Sequence, residues 1–357
     1  MEFGVQQIFQ NFDNQTSDGQ VWQEEVRLGL LAEELGFDSI WPVEHHFCDY
    51  AACPDNLQFL SYMAARTKRI KLATGAIILP WNNPLRVVEK VSVLDHLSGG
   101  RVVLGLGRGL ARREYEGFGI EMDSSRERFD EAAGMVLEAL DTGFIEGSGR
   151  YYPQTRTPIR PRPLGGFRDR VYSIAMSPDS VEAAARLGTG MAVFSQKSWE
   201  MAADDINSYR ALFSQVHGKE SPPPVTCDFV ICDNDQTRAE ELARRHITGY
   251  LVCVFEHYEL MSEHFKKAKG YEMYGSSVDM MRAIGLENLM EEYLKVQAWG
   301  TPERIIEALG RRREMIGDYN FSACFRFAGI PFEAAEASMR LFAEAVMPVL
   351  RQQTRNH

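Results

Sequence analysis

Glu44-His45-His46-Phe47 is the stretch of this chain best equipped for proton chemistry. Imidazole moves protons near neutral pH more readily than any other side chain. The stretch follows a short apolar run, Asp38-Ser-Ile-Trp-Pro-Val43, so two imidazoles and a carboxylate stand just past the end of an expected β-strand. In an α/β barrel that edge is where catalytic groups gather. Gly105-Leu-Gly-Arg-Gly109 ends a second apolar run. It is not a dinucleotide fingerprint, because Leu110 takes the sixth position of G-x-G-x-x-G and no acidic ribose ligand is evident. Glycines there let a flat ring approach backbone, and the fork of Arg108 suits a phosphate. Met176-Ser-Pro-Asp-Ser180 opens a helix. Ser177 is a natural N-cap, the helix start is an anion site, and Ser180 adds a hydroxyl in the first turn. Gly75, inside Thr74-Gly-Ala-Ile77, marks a bulge or a close approach to a ligand.

These residues need a frame that brings strand ends together. Short apolar runs alternate with amphipathic stretches, the pattern of a parallel sheet with crossover helices. Strands are expected at about 3–9, 39–43, 70–79, 101–106, 171–175, 190–194, 225–231 and 321–327. Helices are expected at about 20–35, 55–66, 84–97, 127–140, 178–187, from the end of the sixth strand to about 216, from 236 into the mid-250s, and 331–350, with 123–127 as a capping segment. Eight such units make a single (β/α)8 TIM barrel, an α/β fold, over 1–357. The Gly-, Pro- and Arg-rich stretch 143–170 reads as a surface excursion. Residues 257–296 are too long for a tight βα loop. They read as an insertion between strands seven and eight, either a lid over the strand ends or a solvated structural extension.

Composition narrows the function classes. Of 357 residues, 39 are Lys or Arg and 50 are Asp or Glu, for a net charge of -11. With no basic stripe, nucleic-acid binding is not expected. No apolar run reaches the ~20 residues that span a bilayer, so no membrane partner is expected. The first residues read as a strand and lack the pattern of a signal peptide, which points to a cytoplasmic protein. The six cysteines form no C-x-x-C. Cys48 and Cys53 lie near His45 and His46, but no second ligand pair follows. The expectation is free thiols and no metal.

Several segments, in this order, resemble the bacterial luciferase-like family of flavin-dependent monooxygenases. They are Trp41-Pro-Val-Glu-His-His-Phe47, Ala73-Thr-Gly-Ala-Ile-Ile-Leu-Pro80, Leu94-Asp-His-Leu-Ser-Gly-Gly-Arg101, Gly105-Leu-Gly-Arg-Gly-Leu110 with Phe118-Gly119 and Ser125-Arg126, Phe325-Arg-Phe-Ala-Gly-Ile-Pro331 and Phe342-Ala-Glu-Ala-Val-Met-Pro348. The resemblance implies a TIM barrel that binds FMN, as FMNH2, at the strand ends. It implies His45 as the catalytic histidine and a non-prolyl cis peptide, Gly75-Ala76, supporting the isoalloxazine. Arg108, Ser177 and Ser180 would hold the phosphate, with Met176 at the flavin edge. Gly107 stands where luciferase carries a reactive cysteine, and Met176 where it carries a glutamate, so light emission is not implied. The implied reaction inserts oxygen from O2 into a small, largely apolar substrate through a C4a-(hydro)peroxyflavin. Electrons would come from a separate NAD(P)H:flavin reductase, since no NAD fingerprint is present. A homodimer is the expected assembly. Phe9, Trp41, Phe47, Trp81 and Phe194 are the candidate substrate-lining side chains. Two alternatives stand beside this reading: a deazaflavin-dependent hydride-transfer enzyme, and a flavin-binding barrel without activity.

Overall fold

Strands and helices alternate from the first residues onward in the computed structural model, which describes residues 1–355. The strands are β1 (Phe3–Gln7), β2 (Ser39–Pro42), β3 (Lys71–Ala73), β4 (Ile77–Ile78), β5 (Val102–Gly107), β6 (Phe144–Gly147), β7 (Gln154–Pro158), β8 (Val171–Ile174), β9 (Gly190–Phe194), β10 (Val225–Cys232), β11 (Ala298–Gly300) and β12 (Asn320–Cys324). The helices are α1 (Asp18–Glu34), α2 (Asn56–Arg66), α3 (Pro84–Ser98), α4 (Arg112–Gly117), α5 (Ser125–Thr142), α6 (Pro178–Leu187), α7 (Trp199–His217), α8 (Gln236–Leu242), α9 (Thr248–His257), α10 (Glu272–Ile284), α11 (Leu286–Val296), α12 (Pro302–Ile316), α13 (Phe332–Leu341) and α14 (Met347–Arg355).

Eight parallel strands close on themselves in the order β1, β2, β3, β5, β8, β9, β10, β12 and back to β1. This is the (β/α)8 barrel expected from the sequence. Local chemistry sets the helix ends. The Ser17 hydroxyl accepts from Gln20 N–H at the start of α1, and Gly36, at φ 80°, follows its last turn. Asn83 caps α3, with Pro84 in its first turn and left-handed Gly99 behind it. The 123–127 capping segment is a correction. Ser124 is helical itself and its side chain makes no cap bond; a 3-10 turn, Met122–Ser124, leads into α5 instead.

Three further differences bear on the site. The third strand is broken in two, because the chain turns through Thr74–Ala76 between β3 and β4. The excursion at 143–170 holds an antiparallel hairpin, β6–β7. Between the insertion and the last barrel strand lie β11, which pairs in parallel with the end of β10, and α12, neither of which stands out in the sequence. From α12 the buried Arg312 reaches Asp228 on β10 with both nitrogens, at 2.8 and 2.5 Å, under the ring of Trp199. Trp41, Ala73, Val103, Ala192 and Val225 fill the lower barrel interior. That layer is the floor beneath the strand ends.

Candidate active site

One large pocket opens at the C-terminal strand ends, lined from seven of the eight barrel strands and by Tyr258, Leu260, Tyr271, Tyr274 and Tyr293 of the insertion. Its empty space is about 1300 Å³, counting the open solvent at its mouth.

At one end stands His45. Its Nδ1 lies 3.0 Å from Glu114 Oε1, and the same oxygen accepts the His46 N–H at 2.8 Å. Glu114 rides on α4 and is 1 % exposed. A carboxylate at Nδ1 makes that nitrogen the donor and leaves Nε2 as the acceptor. The Tyr258 hydroxyl faces Nε2 at 3.3 Å. His46 is oriented differently. Its Nε2 meets Glu44 at 3.3 Å, and its ring packs on Phe118. Glu44 is saturated: it also accepts from Ile78 N–H, Trp81 Nε1 and Asn82 Nδ2 at 3.1, 2.7 and 2.8 Å. Of the three groups, His45 alone turns a ring nitrogen toward the pocket, where the Tyr258 hydroxyl is its partner.

Behind His45 lies His257, stacked on Tyr50 at 4.2 Å, with Nδ1 3.4 Å from Cys48 Sγ. Burial, aided by His45 and Arg113, pushes its pKa down to about 2, so it is a neutral ring at working pH. His45, Glu114 and His257 offer ligand atoms within 4.8 Å of one another. That spacing is compatible with a cation, but the His45–Glu114 hydrogen bond accounts for two of the three without one. Cys53, the sequence neighbour of Cys48, is buried as a free thiol.

At the other end is a basic cradle. Arg108 follows β5; its Nη1 donates to Gly270 O at 2.6 Å and its guanidinium lies 4.0 Å over the Tyr271 ring. Arg126, on α5, has a buried Nη2 with no partner, and its nearest carboxylate, Asp130, is 3.8 Å away. Burial and then the neighbouring Arg108 push its pKa down. Two cations held together with an unused N–H group are suited to an anion. Ser177 and Ser180 face the same pocket at the start of α6, each completing the other's capping bonds: Ser177 N–H donates to Ser180 Oγ at 2.8 Å, and the two hydroxyls are 3.0 Å apart. Met176, also lining, places its sulfur 3.2 Å from Phe194 N.

Between the two ends the backbone of Gly75 and Ala76 lines the wall, joined by the cis peptide bond that the resemblance implied. The Ala76 carbonyl accepts from buried Asn56 Nδ2 at 3.0 Å. Gly105 serves the fold more than a ligand. A Cβ there would lie 2.0 Å from the Thr74 carbonyl oxygen, so Gly105 lets the Thr74–Ala76 turn cross over β5. At Gly107 a Cβ would meet Ile78 at 2.7 Å.

Thus His45, Gly75, Ala76, Arg108, Met176, Ser177, Ser180 and Phe194 share one pocket. Four expected lining residues do not join them. Phe9 is fully buried against Trp22 and Phe59, between α1 and α2. Trp41 lies in the barrel floor, its Nε1 donating to Ser39 Oγ at 2.8 Å. Phe47, 64 % exposed, lies on the outer surface against Phe118. Trp81 stacks on Phe118 and spends its N–H on Glu44. Nearness to a strand end suggests lining, yet backbone direction sends these four aromatic residues away. The pocket also takes in Tyr50, Glu114, Tyr250, Tyr258 and Tyr293, and Arg126 lies beside it, none of them expected from sequence as site residues. Of these, Arg126 alone belongs to a motif that carries the resemblance.

A family model described as luciferase-like monooxygenase matches residues 1–319. The alkanal monooxygenase alpha chain of Photorhabdus luminescens is 26 % identical over 350 residues, covering 96 % of each chain. Monooxygenase RslO1 from Streptomyces bottropensis is 29 % identical, with TM-score 0.76 over 98 % of this chain and 100 % of its own. The oxygenating constituent of 3,6-diketocamphane monooxygenase from Pseudomonas putida, solved in complex with FMN, is alike in fold. It has TM-score 0.74 and 18 % identity over 98 % of both chains.

Proposed function

The chain belongs to the luciferase-like monooxygenase family, and on that premise we propose that it binds reduced FMN and uses O2 to oxygenate a small, largely apolar organic molecule. The observation that carries this reading is the pairing of two ends of one pocket. A cradle of Arg108, Arg126, Ser177 and Ser180 lies at one, and at the other an imidazole whose Nε2 meets only the Tyr258 hydroxyl. The residues fit the cofactor. The orphaned Arg126 Nη2 and the α6 N-terminus suit a terminal phosphate, and the Gly75–Ala76 backbone offers a flat wall for a tricyclic ring. The Gly270 carbonyl and the Tyr271 ring cover Arg108. That closed end favours a flavin terminating at its phosphate over a deazaflavin with a chain beyond it.

When bound, the reduced flavin supplies the electrons that activate O2. The chain supplies the rest. Glu114 fixes the His45 ring and keeps Nδ1 protonated, so Nε2 can accept or return a proton beside the reacting atoms. Residues 257–296 act as a lid over a single barrel domain and limit water entry. A separate NAD(P)H:flavin reductase delivers the reduced cofactor, and the enzyme works as a cytoplasmic homodimer. No described helix is long and apolar enough to cross a membrane. Equilibrium titration with FMN, riboflavin and deazaflavin F420, followed by oxygen uptake with reduced FMN, tests the reading. FMN should bind tightest and riboflavin more weakly. Preferential F420 binding would favour hydride transfer, and binding without oxygen uptake beyond free flavin would favour the inactive barrel.

A further inference from the structure

The part of the pocket around His45 has a wall of unusual make-up. Tyr258, Tyr50, Tyr250, Phe229 and Tyr293 run from His45 to β10 as one contiguous aromatic surface. Neighbouring ring centroids are 5.6 Å apart for Tyr50 and Tyr258, 5.7 for Tyr50 and Tyr250, 4.1 for Phe229 and Tyr250, and 6.4 for Phe229 and Tyr293. Ile8, Val43, Ala51, Val254 and Leu260 line the pocket beside these rings.

The polar atoms of the wall are phenols. The Tyr50 and Tyr250 hydroxyls are hydrogen-bonded to each other, so only one of the two protons is spent. The Tyr258 hydroxyl faces His45. The Tyr293 hydroxyl makes no hydrogen bond to any described residue. Burial raises the pKa of all four tyrosines well above its usual value, so they stay neutral donors. The charged groups beside the wall are already engaged: Glu114, near Tyr258, by His45 and His46, and Asp228, near Tyr293, by Arg312.

We propose that this chamber takes a neutral, planar aromatic substrate bearing a hydroxyl or carbonyl group, in preference to an alkyl chain. The inference rests on the flavin reading above for the location of the reacting atoms and on the tyrosine wall for the class. Rigid rings, tilted to their neighbours by 37–72°, offer both faces and edges to a flat ligand and lose little entropy on binding. Spare phenol donors suit ring oxygens, whereas an alkyl chain would leave them unpaired at a cost.

The test is calorimetric titration of the protein, with and without FMN, using 1-acetyl-2-naphthol and 2-decanone as probes. The naphthol should bind about tenfold more tightly than the alkanone. Tyr293→Phe removes a hydroxyl that no described residue uses. It should weaken the naphthol about fivefold, the worth of one neutral hydrogen bond, and weaken 2-decanone, whose flexible chain does not hold its carbonyl against the wall, by less. Equal or tighter binding of 2-decanone overturns the assignment, as does failure of a protein that binds FMN to bind either probe. Unchanged naphthol affinity in Tyr293→Phe overturns the recognition by phenol hydroxyls. A protein that prefers the naphthol but does not bind FMN sinks the flavin reading and leaves the chamber assignment standing.

Discussion

Glu114 and His45 are 69 residues apart in the chain and 3.0 Å apart in the barrel. The contact fixes which nitrogen of the imidazole is free. Replacing Glu114 with Gln keeps the shape but lets Nδ1 accept, so the ring can present the wrong tautomer. Product formation should fall roughly 10²–10⁴-fold, the span of a misdirected general base, with FMN affinity unchanged. Steady-state turnover beside a flavin titration checks both halves. Full activity in the variant would make the pair structural only.

Arg126 has a buried nitrogen without a partner next to Arg108. Arg126→Ala should weaken FMN by about 1.5–3 kcal/mol, the usual worth of a hydrogen bond to a charged group. Riboflavin, which lacks the phosphate, should bind both proteins alike. Calorimetry with the two ligands separates loss of a phosphate contact from loss of fold. Arg108→Ala should behave the same way.

How far the site can be read from the sequence depends on whether a residue's role is local. His45, Arg108, Ser177 and Ser180 stand at strand ends or helix starts, where short-range pattern and chemistry coincide. All four line the pocket. Glu114 follows two arginines on a six-residue helix, and nothing near it in sequence marks it as the partner of His45. The aromatic side chains escape such a reading for a related reason. Phe9 and Phe47 have positive φ, 52° and 64°, and such turns redirect a side chain in ways periodicity does not show. The barrel is legible because its eight apolar runs recur. Strand β11 is three residues long and too short to register between the insertion and the last strand.

The insertion contacts the cradle directly. Besides Gly270 and Tyr271 on Arg108, Lys269 pairs with Glu127, and its N–H donates to Asp123 at 2.9 Å. Lys266 is held by Asp279 and Glu263. Lys267 makes no ion pair among the described residues, so limited trypsin treatment should cut first after Lys267. FMN should slow that cut by ordering Arg108 and its cover. First cleavage outside 257–296, or a rate that FMN does not change, would count against a lid.

His257 is buried as a neutral ring with its pKa pushed down to about 2 from an ordinary 6.5. The unfolded chain therefore takes up a proton below pH 6.5 that the folded chain refuses until about pH 2. Stability is full above pH 6.5 and is lost as pH falls through that window. Against His257→Gln, which does not titrate, the wild type should lose about 1 kcal/mol for each pH unit below roughly pH 6. Urea unfolding of both proteins between pH 7 and about 4.5 measures the difference. Parallel curves would show that His257 is protonated in the fold.

The central claim is that His45 moves a proton beside a reduced flavin during oxygen insertion. The direct measurement supplies enzymatically reduced FMN and 18O2 to wild type and His45→Ala. The acceptor is the tightest-binding aryl ketone, and 18O-labelled product and H2O2 are counted per flavin oxidised. The account predicts label in the wild-type product. In His45→Ala, labelled product should fall by ~10²–10⁴ and H2O2 should rise to replace it, with FMN affinity retained. A variant that forms labelled product as efficiently as wild type would contradict the account, and so would wild-type turnover that consumes no oxygen.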